Sequence, residues 1–496
     1  MSQPLLIVLI IGSYFLILLT VAHFCSKGAN NSTYFTGNRN MAWPIVAVAM
    51  ITAPISGITF ISVPGMVAAK SYGYLQMCMG FVVGYFLIGW VLVPLFYKRK
   101  IVSIYSFLDE RFGRSAHTTG AWLFLISEIL GVGVRFLVVC MVLQMLVFSP
   151  LNLPFALNVA VTMFLIWLYT ARGGVKSVVW SDTVKSVCLV ISVILCFYII
   201  AGKLGVEATE IPRKIFDDPT SRIFFFNDIN DSSYFWKQFL TGIFLVVAMT
   251  GLDQDMMQRI LACKNAGGAR KNLAVSGLLQ FVVISLFLAL GTLMTLYMES
   301  REIAFPEKSD NIFATVAFHE EMPVMLGVLF ILGLVSASYS SVGSALTSLT
   351  TSYTVDILEG LKQYEEPKLK KIRRNVHAVM ALLMAIVILL FYYLNEQDAI
   401  SALFTLASYS YGPILGLFVF GVFTNKRIDT KYIALVCISA PVLTWMTGRF
   451  LKMTLDYDAG FELFLLNTLF TIAGLSILPS LKMEDVTNTV EEKVSA

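Results

Sequence analysis

The chain has 496 residues, of which 57% are hydrophobic and only 14% charged, with a net charge of +4. An ordinary soluble domain carries about a quarter charged residues, so this balance excludes an aqueous globule and makes lipid the main solvent. The small positive charge calls for no nucleic-acid partner, and seven cysteines scattered without a CxxC pair suggest neither disulfides nor a metal cluster.

Apolar stretches of about 18 or more residues, each able to cross a bilayer core of about 30 Å as a helix, recur along the chain. In chain order the expected spans are 4–24, 44–66, 73–97, 119–149, 153–170, 178–202, 236–258, 272–298, 322–355, 376–395, 399–424, 431–449 and 460–480, thirteen in all. The first lacks a basic flank and a cleavage site, so it reads as a retained helix and not a signal peptide. Lysine and arginine concentrate in alternate loops, notably Lys98–Lys100 and Lys368–Arg374, which places the N-terminus outside and the C-terminus in the cytoplasm of a plasma or inner membrane. Residues 1–480 are expected to form one transporter domain and 481–496 a short polar cytoplasmic tail, with no fused signalling module.

The second span contains ITAPISGITF, with Pro54 and Gly57 in mid-membrane, and the seventh contains AMTGLDQDMMQR, with Gly251 before Asp253. Proline removes a donor and glycine weakens the helix, so each segment is either kinked or locally unwound. Setting the first span aside, the two segments open successive groups of five, 44–202 and 236–424. Groups with an odd number of spans have opposite topology, the pattern of a LeuT-type inverted repeat.

In the ninth span Ala337, Ser340, Ser341 and Ser344 share a helical face. Serine hydroxyls suit a dehydrated monovalent cation, although a packing face of small residues would read the same way. Asp182, Lys185 and Arg135 are ionisable side chains inside spans. Asp182 in an apolar helix reads as functional. Lys185 either pairs with Asp182 at i, i+3 or reaches for the interface. Arg135 needs an anionic partner, which Glu128 or a solute could supply. Four histidines, His23, His117, His319 and His377, form no HExxH pair, and nothing points to an enzyme.

Four motifs, YFTGNRNMAWP, ARGGVKSVVWSD, DQDMMQR and SSVGSALTSLTTSYTVDI, resemble those of the sodium:solute symporter family in order and spacing, from about residue 34 to 425. The resemblance implies an all-α membrane protein of LeuT type that imports a small solute with sodium by alternating access, functional as a monomer. It implies a sodium site from the carbonyls of Thr52, Ile55 and Ala337 and the hydroxyls of Ser340 and Ser341. A second-cation region would hold Asp182, Ser344 and Lys185. There Gly343 stands where a serine is usual and Lys185 where a glutamine is, which favours one sodium over two. TAPISGITFISVP and Arg135 resemble the sialic-acid branch, implying a carboxylated solute near Ser56, Thr59, Cys78, Arg135 and Gly251. Cys78 departs from that branch's glutamine and puts sialic acid itself in question. A neutral-sugar transporter and a non-transporting sensor are the alternatives.

Overall fold

A computed structural model describes residues 3–207, 209–229, 231, 233–394, 409–457 and 462–479. The helices that matter here are α1 (Gln3–Ser26), α2 (Trp43–Thr52), α3 (Gly57–Gly65), α4 (Tyr74–Arg99), α5 (Arg114–Leu143), α6 (Phe155–Thr170), α7 (Gly174–Lys203), α8 (Phe235–Gly251), α9 (Gln254–Ile260), α10 (Ala266–Ser300), α11 (Val324–Ser352), α12 (Glu366–Leu394), α13 (Tyr411–Phe423), α14 (Ile433–Leu455) and α15 (Glu462–Ile477). Among the described residues, eight helices are each long and apolar enough to cross a membrane. Two bent pairs add a broken span each, and α6, α13 and α15 are shorter apolar helices. The expected eleventh span is described only from residue 409 onward, and the expected tail lies outside the described residues.

Both interruptions expected from sequence are breaks. α2 and α3 meet at 63°, and α8 and α9 at 74°. Each is held by a side chain that replaces lost helical bonds. At the first, Ser56 Oγ accepts from the Thr59 amide at 3.3 Å and Thr59 Oγ1 accepts from the Ser56 amide at 3.3 Å, a reciprocal capping box. At the second, extended Asp253 accepts from the amides of Asp255 and Met256 at 2.8 and 3.2 Å.

α7 lies along α11 and α2, and α10 packs on α2 and α4, so the broken helices sit inside a ring of continuous ones. On the far side of the first break Phe60 packs against Phe287, Phe313 and Phe330, with ring centroids 5.2–5.9 Å apart. Large apolar side chains such as Leu16, Trp90, Phe164, Leu382 and Leu435 remain exposed on the outer faces, as a lipid-facing surface requires.

Two stretches assigned to cytoplasmic loops are helical. α12 begins at Glu366, ten residues before the expected span, and carries Arg373 into a buried place over the Tyr34 ring at 4.0 Å. Arg259 is buried within α9. Each guanidinium has found a partner inside the protein, so neither can be counted as a loop charge.

α4 and α8 are in backbone contact. A Cβ on Gly80 would lie 2.2 Å from the Phe239 carbonyl oxygen, and one on Gly242 would lie 2.2 Å from that of Met77. Glycine at both places lets the helices approach without a side chain between them. Gly242→Ala is therefore expected to cost about 1–3 kcal/mol by overpacking. Gly12→Ala on α1, with nothing within 4 Å of the added carbon, should leave the melting temperature in detergent unchanged.

Candidate functional site

The end of α2 and the middle of α11 come together at the first break. Thr52 Oγ1 donates to Ser340 Oγ at 3.2 Å and lies 2.9 Å from Ser186 Oγ on α7, which also accepts from the Thr52 amide at 3.3 Å. Thr52 is the last residue of α2, and Ile55, fully buried, lies in the non-helical stretch, where carbonyls lose their i+4 partners. One turn along α11, Ser341 Oγ donates to the Ala337 carbonyl at 3.4 Å, a long bond that leaves the hydroxyl able to turn elsewhere. Hydroxyls and carbonyls are the oxygen types that a small monovalent cation takes without a permanent counter-charge.

Behind this lies a buried charge network. Lys185 Nζ reaches Asp182 Oδ1 at 3.1 Å, Tyr169 Oη at 3.0 Å and the Tyr339 carbonyl at 3.1 Å, with its ammonium 4.6 Å from the Tyr169 ring centroid. Both ends of the pair are fully buried, so Lys185 does not reach for the interface. The other oxygen of Asp182 faces Arg259 Nη2 at 3.1 Å, and Arg259 Nη1 stands 3.5 Å from Asp255 Oδ2. Ser344 Oγ lies 3.0 Å from the same Asp255 oxygen, so it joins the network through Asp255 and not by contact with Asp182. A Cβ on Gly343 would come within 2.0 Å of Tyr169 Oη. Glycine there makes room for the tyrosine that holds Lys185.

Beside the serine helix a cavity of about 180 Å³ opens between the two breaks, lined by Ala53 and Pro54 together with Glu128, Arg135, Asp253, Gln280, Ser341 and Tyr411. Arg135 Nε donates to the Gly131 carbonyl at 3.0 Å, while its Nη2 is 3.9 Å from Glu128 Oε2, too far for a hydrogen bond. Asp253 is fixed by its two amides and by Tyr411 Oη at 3.0 Å. Of the other residues expected at the solute, Ser56 and Thr59 cap α3, Cys78 is buried in α4, and Gly251 faces Leu92 and Ile88 of α4. The cavity instead takes Thr250 and Asp253 from that segment.

Sequence reasoning missed Arg259, Asp255, Tyr169, Asp253 and Gln280. One signal was available: in DQDMMQR, Asp255 and Arg259 stand at i, i+4, a helical ion-pair spacing. Tyr169 and Gln280 carry no such mark.

Two interrupted helices crossing inside continuous ones, with a polar cavity and a hydroxyl-lined break at the centre, define a secondary transporter. The sodium:solute symporter family matches residues 34–435. The chain is 24% identical over 435 residues to a sodium/sialic acid symporter of Aliivibrio fischeri, covering 86% of this chain and 84% of that one. It is 25% identical over 501 residues to a sodium/glucose cotransporter of Vibrio parahaemolyticus, covering 92% and 87%. A solved Na+-coupled sialic acid symporter, substrate-bound and outward-open, superposes with a TM-score of 0.81 at 19% identity over 96% of this chain and 99% of that one. The chain belongs to the sodium:solute symporter family. It is a multi-pass membrane protein of LeuT-type fold that couples a solute to sodium, and it is not an enzyme.

Because Asp182 faces two cations, Asp182→Asn leaves Lys185 without a carboxylate and Arg259 with Asp255 alone among the described residues, whereas Lys185→Met leaves Asp182 still facing Arg259. Removing one partner of a buried pair costs about 3–5 kcal/mol. Thermal denaturation in detergent should therefore rank Asp182→Asn below Lys185→Met.

Proposed function

We propose that this protein imports a small carboxylate-bearing organic solute together with one sodium ion, by alternating access. The observation that carries the solute class is Arg135, whose guanidinium lines the cavity with one backbone bond and only a loose approach to Glu128. A guanidinium held this way keeps a fork of donors for a carboxylate. Sugar acids such as a sialic acid are the members of this class to test first, since relatives of similar length carry that substrate in their names. Neutral sugars are the competing class, named for the glucose-transporting relative.

Sodium is assigned to the carbonyls of Thr52, Ile55 and Ala337 and the hydroxyls of Ser340 and Ser341. A neutral cage binds a single charge weakly enough to release it on the far side. Supporting this are the contact of Thr52 with Ser340 and the place of Ser341 on the cavity wall. The second-cation region of Asp182, Ser344 and Lys185 is assigned no ion, because the Lys185 ammonium already neutralises Asp182. The repeats are taken as 44–202 and 236–424 within a single domain of residues 1–480, working as a monomer in the lipid of a plasma or inner membrane. The N-terminus is outside and the tail 481–496 cytoplasmic.

Uptake of labelled solute into proteoliposomes, with and without an inward sodium gradient, separates transport from sensing. Ser340→Ala and Ser341→Ala should each raise the half-saturating sodium concentration by about tenfold or more, equivalent to about 1.4 kcal/mol. The sodium Hill coefficient should stay near one. A coefficient near two, with two ions moved per solute, would remove the single-ion assignment. Arg135→Lys should weaken solute affinity by a similar factor, since a point charge cannot reproduce the fork, while sodium binding without solute persists. Should Arg135→Ala and Glu128→Gln both melt earlier without ligand, with strong coupling in the double variant, Arg135 belongs to the scaffold instead.

A further inference from the structure

The cavity holds more negative than positive charge. Three acids line it, Glu128, Asp253 and Asp255, against one cation, Arg135. Asp255 and Asp182 are balanced by Arg259 and Lys185, so that network is neutral as a unit. Glu128 and Asp253 remain, with Arg135 as the cation that lines the cavity beside them among the described residues.

The two remaining acids are held differently. Asp253 is fully bonded, by two backbone amides and Tyr411. Glu128 is 4% exposed and, among the described residues, makes no hydrogen bond; the cation within 4 Å of its carboxylate is Arg135, at 3.9 Å. Gln280, 7% exposed, also lines the cavity with its Oε1 unbonded. Buried acceptors are rarely left without donors in a folded protein, and two such groups lining one cavity mark a place where a ligand supplies them.

We infer that the solute carries a cationic donor group as well as its carboxylate: it is a zwitterion, with its ammonium between Glu128 and Gln280 near Asp253 and its carboxylate on Arg135. This rests on the carboxylate reading of Arg135 and narrows it. With one sodium at the serine cage, Glu128, Asp253 and Arg135 sum to neutrality. A solute of zero net charge keeps that balance as the cavity closes and water leaves. An anion whose nitrogen is acetylated would bring an unbalanced negative charge beside two carboxylates and would leave Glu128 without a donor. Amino acids and free-amine sugar acids fit this description, and N-acetylated sugar acids do not.

The test is a stabilisation screen of the purified full-length protein, in sodium and in choline, with matched probes. The zwitterions are the common amino acids and glucosaminate. The anions are the N-acetyl amino acids and N-acetylneuraminate, and the cations are the amino-acid amides. At least one zwitterion should stabilise the protein in sodium only, with its N-acetyl partner about tenfold weaker or worse. Glu128→Gln should weaken the zwitterion about tenfold while leaving the N-acetyl partner unchanged or tighter. The wild-type comparison stands even if that variant does not fold. An N-acetyl compound or N-acetylneuraminate that binds as tightly as any zwitterion overturns the inference and leaves the carboxylate reading intact. An amide that matches its parent acid defeats the carboxylate reading itself. Stabilisation by no zwitterion in the panel overturns the inference as well.

Discussion

A backbone amide or carbonyl inside a bilayer has no water to fall back on, so every break in a helix must be answered by the protein. The protein tolerates two such breaks, and each answer makes part of the site. At the first, Ser56 and Thr59 satisfy the start of α3. The end of α2 is bonded through the Thr52 side chain and amide. At the second, Asp253 caps α9, which places a carboxylate at mid-membrane where a helix interior would otherwise have offered none. The breaks are where irregular backbone is allowed because it faces a cavity and not lipid.

The charges follow from that placement. α9 begins immediately after the second break, and its first turns carry Asp255 and Arg259 into the protein interior. Arg259 is buried there between two carboxylates, Asp255 on its own helix and Asp182 on α7, and Asp182 in turn holds Lys185. The result joins α7, α9 and α11 by opposite charges and by Ser344, with Tyr169 of α6 bracing the ammonium through the space that Gly343 leaves. Alternating access requires helices that move as bodies. A network of this kind keeps α7 and α11 together while the parts around the breaks rock.

The fold was legible to the extent that it depends on hydropathy and on helix breakers. Pro54, Gly57 and Gly251 announced both interruptions, and the apolar stretches gave the order of the spans. The serine face of α11 was legible as a pattern but not as a site, because packing and ion binding ask for the same small residues. The structure adds the approach of Thr52 to Ser340 across a long sequence interval, which the serine pattern by itself does not encode. Arg259 and Arg373 were misplaced in loops for a physical reason. Positive-inside counting treats every flanking arginine as exposed, yet a guanidinium with a carboxylate or an aromatic ring within reach is stable inside. The cavity was legible at Arg135 and Glu128 of one helix but not as a whole, since Gln280 and Tyr411 come from two other helices whose meeting with it no local pattern encodes.

The coupling of sodium to solute has a structural counterpart in Ser341 and the residues at the α2–α3 break. Ser341 lies on the cavity wall and one turn from Ala337, so on the proposed assignment the same hydroxyl serves the cation cage and the solute's surroundings. Ala53 and Pro54, between the carbonyls assigned to sodium, line the cavity as well. An ion that orders this short non-helical stretch therefore orders part of the solute's wall, and a solute that orders the wall helps fix the carbonyls. Linkage makes this reciprocal: whatever sodium contributes to solute affinity, the solute contributes to sodium affinity. A coupling of about 1–3 kcal/mol, common between linked sites, is within reach of a few residues of backbone ordered once and used twice. On the proposed assignment the neutral cage and the charged cavity then have separate tasks, the first to hold an ion lightly and the second to choose what travels with it.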